Sequence, residues 1–137
     1  MANNVNRRSV LLGEKIDLKS FVAVARHGAK VDFSEGYLKR VERARSLVEK
    51  WVADEKVMYG VTTGFGALCD RVITGKETEK LQRNIILSHA TSVGEPLSVE
   101  QSRAVMLMGL QNMGQGYSGV RPLVLEKYRD FLNAGLS

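Results

Sequence analysis

The chain of 137 residues is 44% hydrophobic and has a formal net charge of +5. A chain of this size and apolar content can form one globular domain with its own core, which argues against a disordered protein. Acidic and basic residues alternate from Glu35 to Lys56 as they do on a solvated helix face, whereas nucleic-acid-binding domains usually gather their Lys and Arg on one face. We therefore expect no nucleic-acid partner.

Individual residues exclude other classes of protein. Cys69 is the single cysteine, so the chain has neither an internal disulfide nor a cysteine-based metal cluster. The two histidines, His27 and His89, fall in different predicted helices, so we predict no metal site. The longest uncharged run, Ala104–Val120, contains four glycines and several amides, which is poor material for a membrane helix. These observations predict a cytoplasmic protein that does not contact a membrane.

The N-terminal third of the chain predicts a short strand and two helices. We expect residues 1–8 to be disordered and Ser9–Lys15 to form an edge strand. Asp17 is a typical N-cap residue, and the helix behind it ends at Gly28. A second amphipathic helix follows Asp32 or Ser34. The predicted apolar faces consist of Leu18, Phe21, Val22 and Ala25 in the first helix and Leu38, Val41, Ala44, Val48, Trp51 and Val52 in the second.

The segment Val57–Cys69 interrupts this helical period. Within it, Tyr59–Gly66 reads Y-G-V-T-T-G-F-G, with three glycines among β-branched residues. Glycine permits positive φ and the close approach of a ligand, so this spacing predicts a shaped loop that presents the Tyr59 phenol. The alternative for the glycine spacing is an ordinary turn. The alternative for Tyr59 is a tyrosine whose ring is buried and whose hydroxyl is hydrogen-bonded.

A third helix is predicted after the capping pattern Thr74–Glu77. It carries Leu81, Ile85, Ile86 and His89, and it ends before Gly94 and Pro96.

Two further helices are predicted near the C-terminus. Ser98 and Gln101 form a capping pair for a helix that is apolar nearly all round from Ala104 to Met113, and such a helix must be buried by a bundle or by another subunit. Pro122 opens the last helix, which ends near Gly135. The predicted apolar stripe of that helix is Val124, Tyr128, Phe131 and Leu132.

Four blocks of sequence together resemble the histidine and aromatic amino-acid ammonia-lyases. They are Tyr59–Gly66, L-Q-R-N-I-I-L-S-H-A at 81–90, G-E-P-L at 94–97 and Q-G-Y-S-G-V-R at 115–121, in the family's order and approximate spacing. The resemblance implies a mainly α chain, namely the N-terminal domain of the ammonia-lyase fold. It also implies minor β structure near the N-terminus and around the glycine loop, and the start of a long-helix bundle.

The resemblance carries an expectation about the cofactor and the extent of the chain. The family's electrophile, 4-methylidene-imidazol-5-one, forms from an Ala-Ser-Gly tripeptide that follows a segment similar to Phe131–Gly135. That tripeptide is absent from residues 1–137. The resemblance therefore implies that residues 1–137 are a single N-terminal segment of a larger enzyme, that the electrophile forms in sequence beyond Ser137, and that the segment alone is inactive. It also implies a homotetramer whose active sites combine several subunits.

Elimination of ammonia from an α-amino acid needs a base at Cβ and an electrophile that activates the amine. The resemblance implies that Tyr59 is the base. Ser88 and His89 match the family's selector of the substrate side chain, and Ser-His favours histidine, converted to urocanate, because one imidazole can hydrogen-bond another. From helix position alone, the alternative for His89 is a core histidine with satisfied hydrogen bonds.

Three further residues, Gly60, Leu68 and Asn84, match positions that line or support the substrate site in similar enzymes. The segments T-T-G-F-G-A and Q-G-Y-S-G-V-R are closer to the phenylalanine and tyrosine enzymes, so an aromatic substrate stays open. An aminomutase of the same family also stays open, because aminomutases share the elimination step and also carry Ser-His. Outside the enzyme class, the alternative is a non-catalytic truncated homologue that acts as a helical interaction module.

Overall fold

The computed structural model describes residues 9–63 and 75–136, with the main chain alone over 75–79. The predicted disorder of residues 1–8 therefore lies outside the described residues. The chain is mainly helical with a small sheet, so the predicted fold class is confirmed. In chain order the described elements are β1 (Val10–Leu12), α1 (Leu18–His27), β2 (Val31–Phe33), α2 (Glu35–Ala53), α3 (Gly75–His89), α4 (Val99–Met113) and α5 (Pro122–Ala134).

The chain divides into two compact units. The first joins the described residues up to Ser46 to those from Leu97 onward, and it contains the sheet, α1, most of α2, α4 and α5. The second unit, Leu47–Pro96, contains the end of α2, the glycine-containing segment and α3.

The sheet is a parallel pair in which Val10 lies opposite Val31 and Leu12 opposite Phe33. Helix α1 makes the crossover connection that parallel strands need. On β2, the side chain of Asn133 accepts a hydrogen bond from the Val31 N–H at 2.8 Å and donates one to the Val31 carbonyl at 2.9 Å. The Asn133 side chain thus satisfies main-chain groups at the free edge of β2, which would otherwise need hydrogen bonds from water. The sequence prediction placed a strand at β1 but missed β2.

The ends of the helices lie where capping chemistry predicts them. The Asp17 carboxylate accepts a hydrogen bond from the Ser20 N–H at 2.7 Å, and Gly28 ends α1 in the left-handed conformation. Ser98 forms the predicted capping box of α4, and Pro122 is the first residue of α5. Left-handed Gly135 ends α5.

The structure also shows where helices α2 and α3 begin. Helix α2 follows Ser34 and not Asp32, since the Ser34 hydroxyl accepts a hydrogen bond from the Tyr37 N–H at 3.1 Å. Helix α3 begins at Gly75, and its predicted cap Thr74 lies outside the described residues.

Tyr37 is the largest fully buried side chain in the described part of the chain. Its ring stacks on Phe33 with centroids 4.4 Å apart, and its hydroxyl donates to the Leu110 carbonyl at 2.7 Å. The tyrosine therefore joins the sheet, α2 and α4 in one core. The other buried members of this core are Leu12, Val24, Val31, Val41, Leu107, Leu125 and Leu132.

The buried guanidinium of Arg103 on α4 joins the C-terminal ends of two other helices. It donates to the carbonyl of Val24 in α1 at 2.9 Å and to the carbonyl of Leu132 in α5 at 2.8 Å. A third, longer bond reaches Ala29 at 3.4 Å. The last carbonyls of a helix lack partners within the helix and carry partial negative charge, so a buried cation there is stabilising.

Four residues assigned to the apolar faces of α1, α2 and α5 from the sequence are exposed, and those assignments are wrong. Val52, near the end of α2, is 51% exposed. Leu18 is 77% exposed, because α1 buries its C-terminal half. On α5, Val124 and Phe131 are half exposed, whereas Leu132 of the predicted stripe is buried together with Leu125, which the stripe did not include.

The apolar helix α4 is buried along one face only. Leu107 and Leu110 are fully buried, whereas Val105 and Met108 are 59% and 49% exposed. The described chain alone therefore does not enclose the whole helix, and burial of the remaining face by another subunit stays a prediction. None of the described helices combines the length and the apolar content needed to span a bilayer.

Candidate functional site

The segment after α2 folds into a turn that presents Tyr59. Of the minor β structure expected around the glycine loop, residues 57–62 form no strand, whereas Thr63 is a single β-bridge residue. The N–H groups of Val61 and Thr62 both donate to the Met58 carbonyl, at 3.1 and 3.0 Å. Tyr59 lies within this turn, and its side chain is 66% exposed. The sequence alternative of a buried tyrosine is therefore wrong, and a ligand can reach the ring.

Two threonine hydroxyls fix the main chain on either side of Tyr59. Thr62 Oγ1 accepts a hydrogen bond from the Met58 N–H at 2.9 Å and donates to the Lys56 carbonyl at 2.6 Å. Thr63, which is buried, accepts a bond from the Gly60 N–H at 3.3 Å. In the sequence these threonines stood out only as β-branched residues around the glycines, and the hydrogen bonds by which their hydroxyls hold the turn were not predicted.

Gly60 confirms the expectation of a backbone with positive φ, at +70°. An L-residue with a side chain rarely adopts this conformation, so glycine lets the chain turn directly behind Tyr59. The other glycines of the motif, Gly64 and Gly66, and the predicted site residue Leu68 lie outside the described residues.

The second part of the candidate site is the C-terminal end of α3. Asn84 and Ser88 are four residues apart and therefore share one helix face, and both are exposed. His89, the last residue of α3, is exposed as well, so the alternative of a core histidine is wrong.

Ser88 and His89 are held by one main-chain carbonyl. The Ser88 hydroxyl donates to the Ile85 carbonyl at 3.0 Å, and His89 Nδ1 lies 2.9 Å from the same oxygen. Ser88 Oγ and His89 Nδ1 are themselves 2.9 Å apart. The structure thus brings these two predicted residues into direct contact.

Chemically, the unit Leu47–Pro96 offers an accessible phenol and an accessible imidazole. Both are groups that can donate, accept or transfer a proton. Within residues 9–63 and 75–136, no three His, Cys, Asp or Glu side chains are grouped so as to hold a metal ion.

The sequence also matches known proteins. Residues 16–137 match the family described as Aromatic amino acid lyase. The chain belongs to this family. Among curated relatives of the aromatic amino acid lyase family, the histidine ammonia-lyase of Symbiobacterium thermophilum is 46% identical over 129 residues, which cover 94% of this chain and 25% of that enzyme.

Several solved structures share the fold of this chain. The ergothioneine-degrading ergothionase of Treponema denticola has a TM-score of 0.87 at 30% identity, covering 93% of this chain and 26% of its own. Histidine ammonia-lyase from Trypanosoma cruzi gives 0.82 at 32% identity, covering 93% and 25%. The phenylalanine aminomutase of Pantoea agglomerans gives 0.83 at 30% identity, with the same two coverages of 93% and 25%. The chain thus spans about a quarter of the length of the relatives it matches.

Proposed function

We propose that this chain is the N-terminal part of an amino-acid ammonia-lyase that eliminates ammonia from histidine to form urocanate. Family membership and 46% identity to a histidine ammonia-lyase support this proposal. The observation that carries the choice of substrate is the exposed imidazole of His89, held against Ser88 at 2.9 Å. An exposed imidazole can hydrogen-bond a substrate imidazole, whereas it offers no partner to a phenyl ring.

In this proposal Tyr59 is the base. As the phenolate, its oxygen takes the proton from Cβ of the substrate, the electron pair of that C–H bond forms the double bond, and the Cα–N bond breaks with its electron pair leaving on nitrogen as ammonia. The threonine hydroxyls that hold the turn keep the phenol in position. His89 binds the substrate ring, Ser88 completes the substrate-binding pair beside it, and Gly60, Leu68 and Asn84 line or support the site.

Residues 1–137 contain no Ala-Ser-Gly from which the family's electrophile, 4-methylidene-imidazol-5-one, could form. In the complete enzyme that group supplies the electrophile that activates the amine. The exposure of Tyr59 and His89 fits this arrangement, because groups carried by other parts of the protein can reach both side chains. We further propose a cytoplasmic homotetramer as the complete enzyme.

The test is to follow the reading frame of the source gene past the codon for Ser137 and to express the complete product. We expect that product to convert L-histidine to urocanate, and Tyr59→Phe to reduce kcat about 100-fold or more, the usual contribution of general base catalysis. The 137-residue chain alone is expected to form no urocanate. Urocanate from the isolated chain would contradict the proposed division of the active site.

An aminomutase is the second candidate, because the Pantoea agglomerans phenylalanine aminomutase matches 93% of this chain. A lyase accumulates the unsaturated acid, whereas an aminomutase returns the amine at Cβ. Product analysis with L-histidine, L-phenylalanine and L-tyrosine separates the two, since a β-amino acid as the sole product excludes the lyase. A natural stop codon directly after Ser137 would instead support a non-catalytic helical interaction module.

A further inference from the structure

The hydrogen bonds at the end of α3 determine which nitrogen of His89 carries the proton. Nδ1 lies 2.9 Å from the Ile85 carbonyl oxygen. A carbonyl oxygen accepts hydrogen bonds and cannot donate them, so this contact requires hydrogen on Nδ1. In a neutral imidazole with hydrogen on Nδ1, the other nitrogen, Nε2, is an acceptor.

Ser88 reinforces this assignment. Its hydroxyl has one proton, which it donates to the Ile85 carbonyl at 3.0 Å. The oxygen therefore faces His89 Nδ1, 2.9 Å away, with a lone pair. Two oxygens, the Ile85 carbonyl and Ser88 Oγ, thus converge on the same nitrogen, and while the hydroxyl proton is bonded to the Ile85 carbonyl neither oxygen offers a hydrogen to an unprotonated Nδ1.

We propose that Ser88 is a positioning residue that, together with the Ile85 carbonyl, keeps neutral His89 in its Nδ1–H form and leaves Nε2 as a hydrogen-bond acceptor. Applied to the proposed function, on which this step rests, the ligand at Nε2 is a ring that carries a donor. An imidazole N–H and a phenol O–H qualify, and an unsubstituted phenyl ring does not.

The proposal is tested by NMR of the 137-residue chain labelled with ¹⁵N in the histidine rings, at a pH where imidazole is neutral. Long-range proton–nitrogen correlations distinguish protonated from unprotonated ring nitrogens. His27, exposed on α1, is the internal reference in the same spectrum. We expect Nδ1 of His89 to be protonated and Nε2 unprotonated, whereas His27 shows the averaged shifts of a tautomer mixture.

Variants separate the effect of Ser88 from a general effect of losing a serine. Ser88→Ala should shift the His89 signals toward those of His27, and Ser88→Thr, which keeps the hydroxyl, should restore them. Ser46→Ala is the matched control, because Ser46 is also exposed and also donates to the carbonyl three residues before it, that of Arg43, at 2.8 Å. It should leave the His89 signals unchanged.

Identical tautomer mixtures at His89 and His27 in the wild-type chain would overturn the proposal, as would a Ser88→Ala variant with unchanged His89 signals. These outcomes are independent of activity. If the tautomer is as expected and the complete protein has no lyase activity, the proposed function fails alone. If urocanate is formed while His89 is a tautomer mixture, this inference fails alone.

In the complete enzyme, the same inference predicts the order of substrates. A site that hydrogen-bonds a substrate donor rejects an analogue without that donor by a factor of about 10⁴ or more in kcat/KM. Histidine or tyrosine should therefore exceed phenylalanine by this margin. Comparable kcat/KM values for phenylalanine would contradict the assignment of Nε2 as the ligand-facing acceptor.

Discussion

The hydroxyl of Tyr37 donates a 2.7 Å hydrogen bond to the main-chain oxygen of Leu110, across 73 positions in the sequence. The same oxygen accepts the Gly114 N–H at 3.0 Å, so it keeps one partner when the hydroxyl is removed. We expect Tyr37→Phe to lower the free energy of unfolding by about 1 kcal/mol, the typical net value of one buried hydrogen bond. Urea denaturation should show a lower midpoint with an unchanged slope. Tyr117→Phe is the control because Tyr117 is 94% exposed, and equal midpoints for all three proteins would contradict the expectation.

Tyr37 also makes stability depend on pH in alkaline solution. Burial raises the pKa of Tyr37 from 10.0 to about 12, against the opposing effect of the Arg40 charge. Between these values the unfolded chain has lost the phenolic proton while the folded chain keeps it. The contribution is therefore fully present below pH 10, and it is lost as the pH rises toward 12.

This loss amounts to at most about 1.4 kcal/mol per pH unit. Tyr37→Phe lacks the phenol, so the stability advantage of the wild type over the variant should shrink from pH 9 to pH 11. Urea midpoints of both proteins across this range measure the effect. A constant difference would show that the phenol ionises equally well in the folded and unfolded chains.

Gly114 is required because it lies against the Tyr37 ring. A Cβ at position 114 would lie 1.9 Å from Tyr37 Cε2, which neither the ring nor the helix can accommodate without a shift. We expect Gly114→Ala to destabilise the chain by roughly 1–3 kcal/mol. Gly36→Ala is the matched control: its Cβ would meet Arg40 at an ordinary 3.5 Å within α2, so we expect a gain of about 0.5–1 kcal/mol. Thermal unfolding of the two variants should move in opposite directions.

The Tyr37 environment also explains what the sequence could not predict about the fold. The caps at Asp17, Ser98 and Gly135 were predicted because capping depends on residues within one turn. Tyr37 was omitted from the predicted core because its burial depends on Leu110 in another helix. Strand β2 was missed for a similar reason: it has three residues, and its edge is paired by an asparagine 102 positions away.

The candidate site shows the same difference between local features, which the sequence predicts, and contacts between side chains, which it does not. Glycine spacing predicted the left-handed turn at Gly60, since that requirement is local. The family resemblance selected Ser88 and His89, but periodicity could not show that both contact the Ile85 carbonyl. The hydroxyl bonds of Thr62 were not predicted, because Thr in a β-branched run is equally typical of a strand.

Arg103 should contribute more to stability than any surface ion pair. Arg103→Met removes a buried guanidinium and leaves the Val24 and Leu132 carbonyls without its hydrogen bonds, so we expect a loss of about 3 kcal/mol. Arg26→Met is the control, because the Arg26–Glu100 pair is about half exposed on both sides and should be worth less than about 1 kcal/mol. Urea denaturation measures both variants. Equal losses would mean that Arg103 does not hold the two helix ends.

The last prediction concerns the Thr62 hydroxyl, which bridges the Met58 N–H and the Lys56 carbonyl beside Tyr59. Thr62→Val keeps the shape of the side chain and removes both hydrogen bonds, whereas Thr62→Ser keeps them. Amide hydrogen exchange at Met58 should therefore accelerate in the valine variant and stay near the wild-type rate in the serine variant.

In the complete enzyme, loosening this turn should also misplace the Tyr59 phenol. Because a shift of about 1 Å in a reacting group can cost about 100-fold in rate, we expect Thr62→Val to lower kcat by roughly 10- to 100-fold. The KM should change less, because Thr62 does not belong to the proposed substrate-binding residues. A valine variant with faster Met58 exchange and full kcat would show that the turn does not position the base, and would count against Tyr59 in that role.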